Sequence, residues 1–145
     1  MALLSTADQQ TLREAFAGLT QPVTILFFTQ AIGCETCEET GRILAEITEV
    51  TSQVTVEEVN LVLEPDRAAQ YGVDRAPALV LLAGSDRVDT RIRMLGAPSG
   101  YDFMSLVDAI LVVGGGSHQA LSADSLEKIA AVSDSLTIQV FVTPT

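Results

Sequence analysis

Residues 30–41 read QAIGCETCEETG and hold the only two cysteines of the chain, Cys34 and Cys37, set among carboxylates. What flanks this segment decides the fold. Upstream, VTILFF (residues 23–28) is a β-branched and aromatic run suited to a strand buried on both faces. Downstream, from residue 35 to about 50, Ile43, Leu44, Ile47 and Val50 share one side of a helical pattern. A buried strand thus runs into a short loop, and a Cys-X-X-Cys pair opens a helix.

That placement has a chemical use. A helix N-terminus offers unpaired amides and the positive end of the dipole, which stabilise a thiolate on the first cysteine. The second, one turn further on, is close enough to resolve a mixed disulfide. Cys34 would be the exposed nucleophile and Cys37 the more buried resolving thiol. Two other readings stand beside this one. Zinc usually takes four ligands, and the chain supplies two cysteines and one histidine, His118, unless two protomers share a Cys₄ site. The cysteines could also be small core residues, although Glu35, Thr36, Glu38 and Glu39 mark this helix start as wet.

Working outward, residues 6–18 read as a helix with Leu12 and Phe16 inward, and Thr6-Ala7-Asp8-Gln9 resembles a capping box. VTVEEVNL (54–61) is a second strand, and 64–71 a short helix ended by Gly72. Arg75-Ala76-Pro77-Ala78 leads into LVLLA, a third buried strand. A turn at 84–86 precedes a hairpin partner at 91–95, and Ser99 caps a helix to about residue 113. The order predicts an α/β fold with a central mixed four-stranded sheet. Its first three strands, joined through helices, are expected to run parallel or nearly so, with the hairpin as an antiparallel edge.

Gly114-Gly115-Gly116-Ser117 reads as a flexible joint. Beyond it, residues 122–134 are helical in pattern and 136–142 strand-like. This tail echoes the beginning of the chain: TADQQTLREAF…QPVTILFFT and SADSLEKIAAV…DSLTIQVFVT are each a capped helix followed by a strand containing Thr-Ile. The expected organisation is a unit at 1–113, a Gly-rich linker at 114–121, and the start of a second, incomplete unit at 122–145.

Charge and composition bound the function. Nineteen acidic against eight basic residues give −11, with no basic stripe for a nucleic acid and repulsion from anionic membranes. The N-terminus lacks a basic region followed by a long apolar one, so no secretory signal is expected and the cytoplasm is the default compartment. There a close cysteine pair is more often redox-active or metal-binding than a staple. His118 has no nucleophile or carboxylate placed beside it, and the glycine triplet lacks the Lys-Ser/Thr of a phosphate loop.

Pro77 adds weight to the redox reading. An Ala-Pro opening a buried strand some forty residues after the pair stands where a cis-proline loop stands in a thioredoxin-type fold. A cis bond there would expose the backbone of Ala76 to an extended polypeptide substrate, with Arg75 bordering it; a trans strand-entry proline is the alternative.

The chain closely resembles the N-terminal unit of the glutaredoxin-like protein disulfide oxidoreductases. The resemblance is carried by FFTQ…GCETCEET (27–40), YGVDRAPALVL (71–81) and RMLGAPSGYDFMSLVDAI (93–110). It implies a thioredoxin-like fold and a redox-active Cys34–Cys37 disulfide. A related protein is the flavoprotein that reduces the alkyl hydroperoxide peroxidase, whose N-terminal domain keeps cysteines only in its second unit. In the family a second Cys-X-X-Cys follows a segment like VFVTPT, where this sequence ends. Either the sequence is a piece of a longer protein, or it has one active site and a vestigial strand.

The expected activity is thiol–disulfide exchange with protein substrates. It needs no organic cofactor but does need a recycling partner such as a thioredoxin-reductase-like flavoprotein. Glu35, Glu38 and Glu39 would raise the pKa of Cys34, with Arg75 partly offsetting them, giving a disulfide that is relatively hard to reduce. A redox-inert binding module docking through Ala76-Pro77 is the alternative. The edge of the last strand is a candidate homodimer surface.

Overall fold

A computed structural model describes residues 3–116 and 120–143. Four strands form one mixed sheet in the order β2-β1-β3-β4: β1 Val23–Thr29, β2 Val54–Asn60, β3 Ala78–Ala83 and β4 Val88–Leu95. The helices are α1 Thr6–Phe16, α2 Cys37–Val50, α3 Pro65–Tyr71, α4 Tyr101–Val113 and α5 Ala123–Ala130.

Strand alternation sorts the core into two layers. Val23, Ile25, Phe27, Leu79 and Leu81 face α1, α2 and α4, meeting Phe16, Leu44, Ile47, Leu106 and Ile110. Leu26, Phe28, Val80 and Leu82 face the other way, onto Ala68 and Val73 around α3. A strand with a core on each side can be apolar throughout, which is why VTILFF does not alternate.

The expected strand directions need correction. β1 and β2 are parallel, but β3 is antiparallel to β1, with Phe28 opposite Ala78. The reason is length. Helix α3 has seven residues and rises only about 10 Å, whereas a seven-residue strand rises about 23 Å. Helix α3 does not carry the chain back along the sheet, and β3 begins at the end where β2 finishes. That end is also where β1 releases the cysteine loop.

Local corrections follow from capping. Ser5, not Thr6, caps α1: its hydroxyl accepts the Asp8 amide, and the Asp8 carboxylate accepts from Ser5 in return. Gly100 rather than Ser99 stands at the α4 N-cap, with φ +58° and no side-chain cap. β4 starts at Val88, earlier than the hairpin partner read from the sequence.

The glycines after α4 form no loose joint in the part described. Gly115 takes φ +70°, the Gly116 amide donates to the Leu111 carbonyl at 2.8 Å and that of Gly115 to Val112 at 3.3 Å, a Schellman ending. The rest of that stretch, including Ser117 and His118, lies outside the described residues.

Ser122 caps α5, as its echo Ser5 caps α1, but 136–142 forms no strand. A strand needs a neighbour to take its amides and carbonyls, and among the described residues no sheet partner reaches this segment. Ile138 is 84% and Phe141 90% exposed.

Candidate functional site

The loop from Thr29 to α2 turns at Gly33, whose φ of +76° lies in the left-handed region that a side chain disfavours. Gln30 Nε2 donates to the Ile32 carbonyl at 2.9 Å across this turn, leaving the Ile32 side chain 89% exposed. Cys34 follows, half-buried against the first core layer, and is joined by a disulfide to Cys37 with Cα atoms 5.5 Å apart.

Helix α2 begins later than the sequence suggests. Thr36 stands at the N-cap with φ −101° and ψ 0°, and Cys37 is the first helical residue. Cys37 therefore opens the helix instead of lying one turn inside it, and Cys34 stands in the loop that leads to the helix N-terminus. Cys37 is 7% exposed. Behind it Thr40 is fully buried, and both its amide (3.0 Å) and its hydroxyl (2.8 Å) donate to the Thr36 carbonyl, fixing the first turn. Glu38 and Glu39 occupy that turn, where carboxylates complement the dipole.

Ala76 and Pro77 stand at the same end of the sheet, just before the Ala78 that pairs with Phe28, and their peptide bond is cis. Pro77 is buried and Ala76 half-buried against the core layer that Cys34 also touches. Among the described residues the backbone amide and carbonyl of Ala76 take no hydrogen-bond partner.

Arg75 is exposed and forks onto its neighbour: its Nε and Nη2 donate to the two carboxylate oxygens of Asp74 at 2.8 and 3.1 Å. The hydrogen bonds hold Asp74 below the usual carboxylate range and Arg75 above its own. Its charge is thus met by Asp74, not by the glutamates beside the cysteines.

The structure brings together Cys34, Glu35, Cys37, Glu38 and Glu39 in one segment, with Ala76 and Pro77 at the same sheet end. Two features escaped the sequence reading. One is exposed Ile32. The other is a hollow of about 270 Å³ between α2 and the start of α4, lined by Glu39, Ile43, Pro98 and Phe103, with Leu3 and Leu4 at its rim. The Gly-Ala-Pro-Ser-Gly run at 96–100 is its one sequence signal. Among the described residues no group of three or more His, Cys, Asp or Glu gathers to hold a metal ion, and no helix is long and apolar enough to cross a membrane.

Fold and cysteine pair together define the class: a thioredoxin-fold unit bearing a Cys-X-X-Cys disulfide. The particular relatives agree with the resemblance read from the sequence. The chain is similar to the alkylhydroperoxide reductase AhpF of Enterococcus faecalis (V583). A C503A mutant of that protein and its separate NTD_N/C domain each match with TM-score 0.79 and 32% identity, over 90% of this chain and 61% of theirs. A protein disulfide oxidoreductase from Aeropyrum pernix K1 matches with TM-score 0.71 and 24% identity, over 88% of this chain and 54% of that one. An N21Q thioredoxin from Halobacterium salinarum, at TM-score 0.51 and 20% identity over 76% of this chain and 86% of its own, shares the fold. The chain thus spans about three fifths of the length of the first relatives. No protein-family model matches it, and no curated protein does.

Proposed function

We propose that this protein is a thiol–disulfide oxidoreductase acting on protein substrates through Cys34 and Cys37. The observation that carries the reading is the disulfide itself, one sulfur half-buried at a loop and the other buried at a helix start. Cys34 forms the mixed disulfide and Cys37 resolves it. Exposed Ile32 and the unpaired backbone of Ala76 offer an apolar contact and a strand-like edge for an extended substrate, with Arg75 and Pro77 framing that edge.

The likeness to an alkylhydroperoxide reductase and to a disulfide oxidoreductase supports the same reading. A flavoprotein reductase of the thioredoxin-reductase kind would return the pair to its dithiol form in the cytoplasm, and the exchange itself draws on no organic cofactor. Residues 122–145 are the start of a second unit of the same kind, with 114–121 as the link. The apolar side chains of that tail, Ile138 and Phe141 among them, are the surface through which two copies would associate.

Reduction of insulin by dithiothreitol tests the activity. The protein should accelerate precipitation of the insulin chains, and Cys34→Ser should abolish the acceleration. Wild type and Cys34→Ser proceeding at the uncatalysed rate would leave a redox-inert binding module instead.

A further inference from the structure

The disulfide is flanked on one side by charge that nothing nearby cancels. Glu35 lies between the cysteines and is exposed, Glu38 is exposed in the first turn of α2, and Glu39 is half-buried beside it. None of the three forms an ion pair with another described residue. Of the neighbouring cations, Arg75 is held by Asp74. Arg42 is exposed five residues beyond Cys37, about 7.5 Å further along the helix. Arg67 and Arg87 are tied to Glu57, Arg93 to Asp89, and Lys128 to Asp124. Arg13 and Arg91 belong to α1 and to the middle of β4, outside the cysteine segment. Within that segment three carboxylates stand against one unpaired guanidinium, Arg42, leaving the approach to Cys34 net negative.

We propose, resting on the exchange reading above, that Glu35, Glu38 and Glu39 make this site select disulfides whose flanking groups are cationic. The site is the disulfide; the carboxylates decide what reaches it. A substrate must bring its sulfur to about 2 Å from Cys34 Sγ for the bond to form. Consecutive Cα atoms lie about 3.8 Å apart, so groups beside that sulfur come within a Debye length, about 8–10 Å in ordinary buffers, of the neighbouring carboxylates. A basic segment around the substrate cystine is drawn in, and an acidic one is repelled.

The exchange balances within the two partners. Cys34 thiolate bonds to one substrate sulfur, the substrate S–S bond breaks, and the departing thiolate takes a proton from water. Cys37 thiolate then attacks Cys34 Sγ, closing the protein disulfide and releasing the second substrate thiol. Two electrons pass from protein dithiol to substrate disulfide.

Each uncompensated carboxylate about 8 Å from a unit charge alters its local concentration about twofold in water. A net of two, acting in opposite senses on a cation and an anion, separates them by about tenfold at low salt.

The test uses the reduced 145-residue chain and measures its rate of oxidation by cystamine, a dication, and by dithiodiglycolate, a dianion. Each rate is divided by that of the same disulfide with dithiothreitol, which removes intrinsic reactivity. At about 0.01 M ionic strength the corrected ratio should favour cystamine by about tenfold, and it should fall toward one near 1 M, where the Debye length is about 3 Å. Glu35→Gln combined with Glu38→Gln and Glu39→Gln should erase the preference. Glu35→Gln alone, in the exposed loop, should reduce it if the triple variant folds poorly. Glu49→Gln, at the far end of α2, makes the same charge change as Glu35→Gln and should leave the ratio intact. A ratio near one in the wild type, or one that survives in Glu35→Gln and the triple variant alike, overturns the inference while leaving exchange standing. Failure of both disulfides to oxidise the pair overturns the exchange reading, and the selection with it.

Discussion

The carbonyl of Gly114 accepts the backbone amide of Thr20 at 2.8 Å, tying the end of α4 to the turn that feeds β1. The Gln21 amide donates to the same oxygen at 3.2 Å, and Gln21 Nε2 donates to the Val113 carbonyl at 2.6 Å. This close approach needs glycine. A Cβ on Gly114 would stand 2.5 Å from Leu19 Cδ2, and one on Gly115 would collide with the Thr20 hydroxyl while φ sits at +70°.

Gly114→Ala should therefore cost about 1–3 kcal/mol, the usual penalty of overpacking. Gly115→Ala should fall in the same range through its left-handed backbone and the Thr20 clash. Urea unfolding at pH 7 reads both losses as a lower midpoint at unchanged slope. A flexible linker would tolerate either change within about 0.5 kcal/mol.

Removing residues 122–145 should leave the stability almost unchanged. Helix α5 has no buried residue, and Leu126, Ile129, Ile138, Val140 and Phe141 are all more than half exposed. They contribute little to the core around Phe28 and Ile47, so Tm should stay within about 2 °C of the full chain. Exposed apolar surface of this extent favours association. Sedimentation at rising concentration should show the full chain self-associating and the shortened chain less so.

How much of this was legible in the sequence depends on the range of the interaction. VTILFF and LVLLA betray strands buried on both faces because every position is apolar or nearly so, and Ile43, Leu44 and Ile47 mark a helix face by spacing alone. The cysteine pair could be placed from its immediate neighbours. Strand direction could not, since it depends on which end of the sheet the chain has reached after the short α3, and that is not written in any one segment. Arg75 looked available as a counter-charge until Asp74 was seen to claim both sides of its fork. Three glycines in a row resemble a flexible joint, and only the packing of Leu19 and Thr20 against Gly114 and Gly115 shows that this part is held. Residues 136–142 have strand composition, but pairing is a property of two segments, and no second one stands beside them among the described residues.

Acid should weaken the fold partly through Glu57. Its carboxylate lies between Arg67, at 2.6 Å, and Arg87, and hydrogen bonds to both, Arg67 first, hold it below its usual value of 4.5 against a smaller opposing cost of burial. A depressed carboxylate stabilises the native state above its unfolded pKa, and the gain is lost as pH falls through the lower native value. The side chain is 38% exposed, so after solvent screening the contribution is below about 1 kcal/mol. Glu57→Gln should lose about 0.5 kcal/mol at pH 7 in chemical unfolding. The difference from wild type should shrink steadily as the pH is lowered through the carboxylate range.

Trapping separates the roles of the two sulfurs. With Cys37 buried and Cys34 half-buried, a substrate disulfide should meet Cys34 first. Cys37→Ser, once reduced and mixed with an excess of a small disulfide, should accumulate a stable adduct on Cys34, seen by mass as one added half-disulfide per chain. Cys34→Ser should be labelled at least about tenfold more slowly, since access governs the rate of attack. Equal labelling of both variants would remove the assignment of nucleophile and resolving thiol.

The same carboxylates should set how readily the disulfide is reduced. A thiolate on Cys34 stabilises the reduced state, and Glu35, Glu38 and Glu39 place negative charge against it. The reduction potential should lie nearer that of thioredoxin, about −270 mV, than that of the strongest periplasmic oxidant, about −120 mV. Neutralising all three glutamates with glutamine should make the pair more oxidising by about 15–30 mV, which corresponds to about 0.7–1.4 kcal/mol for two electrons. Arg75→Gln should move the potential by less, because removing that cation also releases the Asp74 charge it holds. Equilibration with glutathione buffers, read by thiol alkylation and mass, measures all three proteins. A wild-type value near −120 mV would mean that the glutamates do not govern the pair.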